Sequence, residues 1–283
     1  FNKNKKQTYL GAIILLQNEN VETFTSIFNY LESKYNFNPK CINIDCSSSE
    51  IIAIKKKYPH CKIILCYYHI VKRIIKHLPQ LKNKNESIKN KAKDLFSNVK
   101  LLLFLNVNKL KEFFQLIINK YEKDFPKFIK YFCTNFFKRY PLNDLCWNYD
   151  LNYIFEENSI DDFFLTNNIC ESTNRLLNMN YKGVCKSVKN FEDAIIALIN
   201  LYNDKNTYIE GKFSVTRAIA LFIRTENINS LINYNTFKTI FKNYANYLKD
   251  RNISYEENEI CDNVLEIQLE KNININKIGR AHV

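Results

Sequence analysis

The chain has 283 residues, 46% of them hydrophobic and 14% aromatic, a composition that excludes an intrinsically disordered polymer. Its 41 Lys and Arg against 29 Asp and Glu leave a formal charge of +12, which favours a polyanionic partner, most commonly nucleic acid. Four Gly and five Pro are too few for a turn-rich all-β architecture. Nine Cys without repeated short spacings argue against a disulfide framework and suit a reducing compartment. No stretch reaches the ~18 uninterrupted apolar residues of a membrane-spanning helix.

The first predicted element is a buried strand over Thr8 to Gln17, TYLGAIILLQ, a short apolar run rich in branched side chains. A helix follows over Val21 to Tyr35, with Phe24, Ile27, Phe28 and Leu31 at helical spacing. Next come a strand from Cys41 into Asp45 and a helix over about Ser48 to Tyr58. That helix has Ile51, Ile52 and Ile54 as its apolar side and is stopped by Pro59. A third strand, CKIILCYYH (Cys61 to His69), runs into a helix reading IVKRIIKHL. Strands and helices in alternation imply an α/β fold with a parallel sheet and right-handed crossovers.

After Pro79 the pattern becomes helical only, through about Tyr140, with aromatic and aliphatic residues at i, i+3, i+4 spacing. Pro141 and the Cys146-Trp147 pair mark the exit from that block. The stretch Thr166 to Asn180 opens with helix-capping residues, a further helix is expected over Asn190 to Lys205, and 212–250 read as helical. The opening at Phe1 and the closing IGRAHV (278–283), whose composition breaks from what precedes it, read as a chain cut at both ends with a non-native tail.

Three stretches could carry chemistry. Asp45 ends an apolar strand and enters a serine cluster. It is either a carboxylate at the C-terminal end of a sheet strand, where α/β folds place functional groups, or a group that ends the strand and caps the next helix. Cys66 and His69 form C-x-x-H, which is half a zinc site or a buried thiol followed by a helix-opening histidine. No second half-site lies nearby. In TNNICESTN, Asn168 and Glu171 have capping-box spacing, and Glu171 is equally a carboxylate on the first turn of a helix.

Together, INIDCSSSEIIAIKKKYPHCKIILCYYHIVKRI, ETFTSIFNYL before it, and Trp147 and TNNICESTNRLLN after the helical block resemble the Mutator-like element (MULE) transposase domain. The resemblance covers about residues 8 to 200, and its specific part runs from Ile42 to Ile74. It implies a ribonuclease-H-like fold with a large all-helical insertion, and DNA cleavage and strand transfer by an Asp-Asp-Glu triad holding two Mg²⁺ or Mn²⁺ ions. Asp45 matches the second aspartate and Glu171 the glutamate. Cys66 and His69 match the family's C-x-x-H, with Asn167 and Asn168 supporting the motif. Lys72, Arg73 and Lys76 would meet DNA phosphates.

The domains expected on this basis are 1–80 for the first part of the catalytic domain and 81–160 for the insertion. Closing helices of the catalytic domain then occupy 161–205, and a helical extension 206–277. The partners implied are the element's terminal repeats and target DNA, with a homo-oligomer in a nuclear transposition complex. Residues 1 to 44 contain no Asp, so the first aspartate is expected upstream of Phe1. The alternative readings are a catalytically inactive, transposase-derived DNA-binding or regulatory protein, and a helical interaction protein whose α/β part is scaffold.

Overall fold

A computed structural model of the chain describes residues 14, 18–45, 47–140, 146–149, 193, 196, 215–226 and 228–250. The described residues are mostly helical and include two four-residue strands, a content compatible with an α/β class. The elements are α1 (Val21–Tyr35), β1 (Cys41–Ile44), α2 (Ser48–Lys57), β2 (Lys62–Leu65), α3 (Tyr67–His77), α4 (Glu86–Leu102), α5 (Val107–Tyr121), α6 (Pro126–Phe132), α7 (Val215–Thr225) and α8 (Tyr234–Asp250). Two compact units divide the chain: Phe1–Cys61 with Thr166–Glu210, and Lys62–Leu165 with Gly211–Val283.

In the first unit α1 packs on α2. Asn20 caps α1 by accepting a hydrogen bond from the Thr23 amide at 2.8 Å, and Asn36 ends it in the left-handed region at φ 52°, which asparagine tolerates. The core between the helices is thin. Phe28, Ile51, Ala53, Ile54 and Tyr58 are buried, whereas Phe24, Ile27 and Leu31 stay half-buried. Ile52, expected on the apolar side of α2, is 53% exposed, and Ala53 takes the inward position instead. Tyr58 packs edge-on against Phe28 and Phe37, and its hydroxyl donates to the Phe28 carbonyl at 3.1 Å. Lys57 and Glu32 add an ion pair. Of the strand expected over 8–17, only Ile14 falls among the described residues, and it is exposed.

The second unit is helical and densely aromatic. The strand expected to reach His69 stops at Leu65, and α3 starts at Tyr67, so Tyr67, Tyr68 and His69 are helical. Packing explains the correction. Tyr67 is buried with its ring about 6 Å from Phe104 and Tyr149, a position that helical geometry at its backbone supplies. Trp147 is fully buried against Phe132, Phe136 and Phe137 and donates its indole N–H to the Phe136 carbonyl at 3.2 Å. The last carbonyls of a helix lack intrahelical donors. Just past the end of α4, Asn148 meets such a need by donating from Nδ2 to the Leu103 and Leu105 carbonyls. Asp94 and Asn98 of α4 similarly accept from the Tyr234 and Ile232 amides at the start of α8. The expectation of helices alone between Leu81 and Tyr140 agrees with α4 to α6 and the π-turn Cys133–Phe137.

Candidate functional site

Asp45 follows the last residue of β1 and is half-buried. The cap of α2 is Ser47, whose Oγ accepts from the Glu50 amide at 3.4 Å. Of the two groups that could have capped this helix, the serine does so. Glu50 sits on the first turn of α2, half-buried, and its pKa rises to about 7. Desolvation is the main cause, and the negative charges of Asp45 and then Glu19 add to it. Near the end of β1 in the first unit, the charges of Asp45 and Glu19 thus act on the Glu50 carboxyl. Sequence reading passed over Glu50. The Ser47-x-x-Glu50 spacing was visible but has the form of an ordinary capping box.

Asp45 and Glu50 offer hard oxygen donors, the type Mg²⁺ and Mn²⁺ take. Desolvation, and after it the Asp45 charge, raises the Glu50 pKa, and a nearby cation would offset both, so the pair of donors fits such an ion. The five cysteines among the described residues are free thiols, and burial pushes Cys61 up to about 11, leaving it a poor nucleophile near neutrality.

In the second unit Cys66 is fully buried and occupies the N-cap position of α3 without a side-chain capping bond. His69 lies in the first turn of α3 rather than opening a helix after a strand. His69, Lys72, Arg73 and Lys76 fall at i, i+3, i+4 and i+7, so they share one face of α3. Ile70, Val71, Ile74 and Ile75 form the opposite, buried face. Arg73 and Lys76 are exposed and Lys72 is half-buried, which leaves a basic ridge with no Asp or Glu on the helix. Such a ridge suits sequence-independent contact with phosphates. Asn167, Asn168 and Glu171 lie outside the described residues, as do the helices expected over 166–180 and, but for 193 and 196, over 190–205.

Residues 2–73 match the family model of the MULE transposase domain. The match takes in α1, β1, α2 and β2 and ends inside α3, so it includes Asp45, Cys66, His69, Lys72 and Arg73 and stops short of Lys76. No curated protein and no solved structure matches the chain. The matched stretch is consistent with a MULE transposase domain at the N-terminal end of the chain. Among the described residues no helix is long and apolar enough to cross a membrane.

Proposed function

We propose that the chain is part of a Mutator-like transposase that cuts and joins DNA within a ribonuclease-H-like catalytic domain. The observation that carries this reading is the family match over residues 2–73, inside which Asp45 leaves β1 beside a second carboxyl group, Glu50. When bound, a pair of divalent ions would activate the attacking oxygen and stabilise the leaving one in phosphodiester cleavage. Asp45 and Glu171 would hold those ions. Glu50, with a pKa near 7, would tune the charge at Asp45 and lose its proton as a cation arrives. Lys72, Arg73 and Lys76 would position the DNA backbone, and the work would take place in the nucleus.

The basic face of α3, with Lys72, Arg73 and Lys76 and no acidic residue, also suits a second reading, a transposase-derived DNA-binding protein without catalysis. Incubation of the natural full-length product with labelled duplex DNA and Mn²⁺ separates the two. The enzyme reading expects strand cleavage that EDTA, Asp45→Ala and Glu171→Ala each abolish. Duplex binding without cleavage under all conditions establishes the second reading, and cleavage that survives Asp45→Ala contradicts the assignment of that residue.

A further inference from the structure

The second unit holds a pocket of about 470 Å³ between the end of α3 and the start of α6, which shares only Lys76 with the residues assigned above. Its lining is Lys76, His77, Pro79 and Gln80 on one side and Phe125, Pro126, Lys127 and Phe128 on the other. The volume is in the range of sites for small organic ligands, and the surface is mainly apolar with a few polar groups, as such sites are. Phe125 and Phe128 are buried and give it an apolar floor, while Lys76 and Lys127 are exposed at its rim. No acidic residue lines it.

Two details narrow the ligand. The His77 imidazole stacks on the Tyr131 ring with centroids 3.5 Å apart and planes 16° from parallel, so one face is braced and the other is available as a stacking platform. Burial and the positive charges of Lys76 and Arg73 hold His77 below its ordinary pKa. The Gln80 side-chain oxygen is shielded from solvent and has no hydrogen-bond partner among the described residues. A shielded acceptor without a donor is costly, and a ligand N–H would satisfy it.

We propose that this pocket binds an unstacked DNA nucleotide, its base on His77 over the Phe125 and Phe128 floor, an exocyclic amino group donating to Gln80, and its phosphates between Lys76 and Lys127. The inference rests on the DNA-directed reading above and adds a single-strand subsite to the backbone contacts of α3. Charge complementarity selects a polyanion, the braced ring selects a flat aromatic group, and Gln80 favours a base with an outward N–H donor. The exocyclic amines of adenine, cytosine and guanine project from the ring edge, whereas thymine offers only its in-ring N3–H, flanked by two carbonyl oxygens that would oppose the Gln80 oxygen.

Fluorescence anisotropy of the full chain with single-stranded dA and dT oligonucleotides, duplex DNA and free dAMP, at one salt concentration, tests this. The wild type should bind dA more tightly than dT, and free dAMP far more weakly than either. His77→Ala should weaken single-strand binding about tenfold, the order expected for one lost stacking contact, with duplex binding unchanged. Gln80→Leu should remove the dA preference, and Lys127→Glu should weaken both single strands alike. The proposal is overturned if wild type and all three variants, each verified as folded by thermal unfolding, bind single strands equally while duplex binding persists. It is also overturned if free dAMP binds as well as the oligonucleotide. A wild type that binds neither single-stranded nor duplex DNA removes the DNA reading itself, a different and separable failure.

Discussion

The two units solve the problem of burying surface in different ways. The first relies on a few side chains between α1 and α2, with Tyr58 joining aromatic packing to a hydrogen bond on Phe28, and leaves much of α1 half-exposed. The second interleaves Phe, Tyr and Trp from α3 to α6 and the segment around Trp147, and closes helix ends with buried side-chain amides. The carboxyl groups of Asp45, Glu50 and Glu19 lie in the thinly packed unit, so on the proposed function a bound cation would stabilise the first unit more than the second, whose aromatic core carries the basic face of α3.

The largest disturbance should follow Trp147→Ala. Removing a fully buried indole that meets three phenylalanines and caps the Phe136 carbonyl should cost about 3–5 kcal/mol. Urea denaturation should show that loss in the transition of the second unit, with the transition of the first unit in place. Lys100 sharpens the same comparison. Its ammonium is fully buried, without a hydrogen-bond partner among the described residues, 4.3 Å from the Phe96 ring centre and 5.5 Å from that of Phe237. Desolvation lowers its pKa from 10.5 to about 7. The unfolded chain holds this proton up to about pH 10.5 and the folded chain releases it near 7, so stability should rise across that window. Each pH unit there is worth at most about 1.4 kcal/mol. Lys100→Met should stabilise the second unit at pH 7 and flatten the rise between pH 7 and 9, read from urea midpoints. The smallest effect belongs to the first unit: Ser47→Ala removes the α2 cap and should cost about 1 kcal/mol, without changing metal affinity if Asp45 is free of the capping role.

Much of the first unit was legible because local signals and tertiary structure agree there. The apolar spacing of α1, its asparagine caps, and the Pro59 stop after α2 all act within a few residues. The β2–α3 boundary was not legible. Tyr67 and Tyr68 have strand preference on their own, and burial beside Phe104 and Tyr149 overrides it. Ile52 was misplaced because three isoleucines in four positions do not reveal which one faces out. The break between α7 and α8 was hidden inside one helical reading. It is marked by Asn233, whose side chain accepts from the Thr236 amide to begin α8. At the candidate site Asp45 stood out as a charge ending an apolar run, whereas Glu50 was masked by its capping-box spacing. Lys100 gave no sign of burial, since a lysine before Leu-Leu-Leu-Phe reads as the exposed edge of a helix.

The most direct test of the account is calorimetry of Mn²⁺ binding to the natural full-length product, beside Asp45→Ala and Glu50→Gln. The account predicts that the wild type binds Mn²⁺, that Asp45→Ala abolishes binding, and that Glu50→Gln weakens it and removes the proton release near pH 7 that accompanies it. Full Mn²⁺ affinity in Asp45→Ala, or no binding by the wild type, would contradict the claim that the end of β1 is a metal-dependent site.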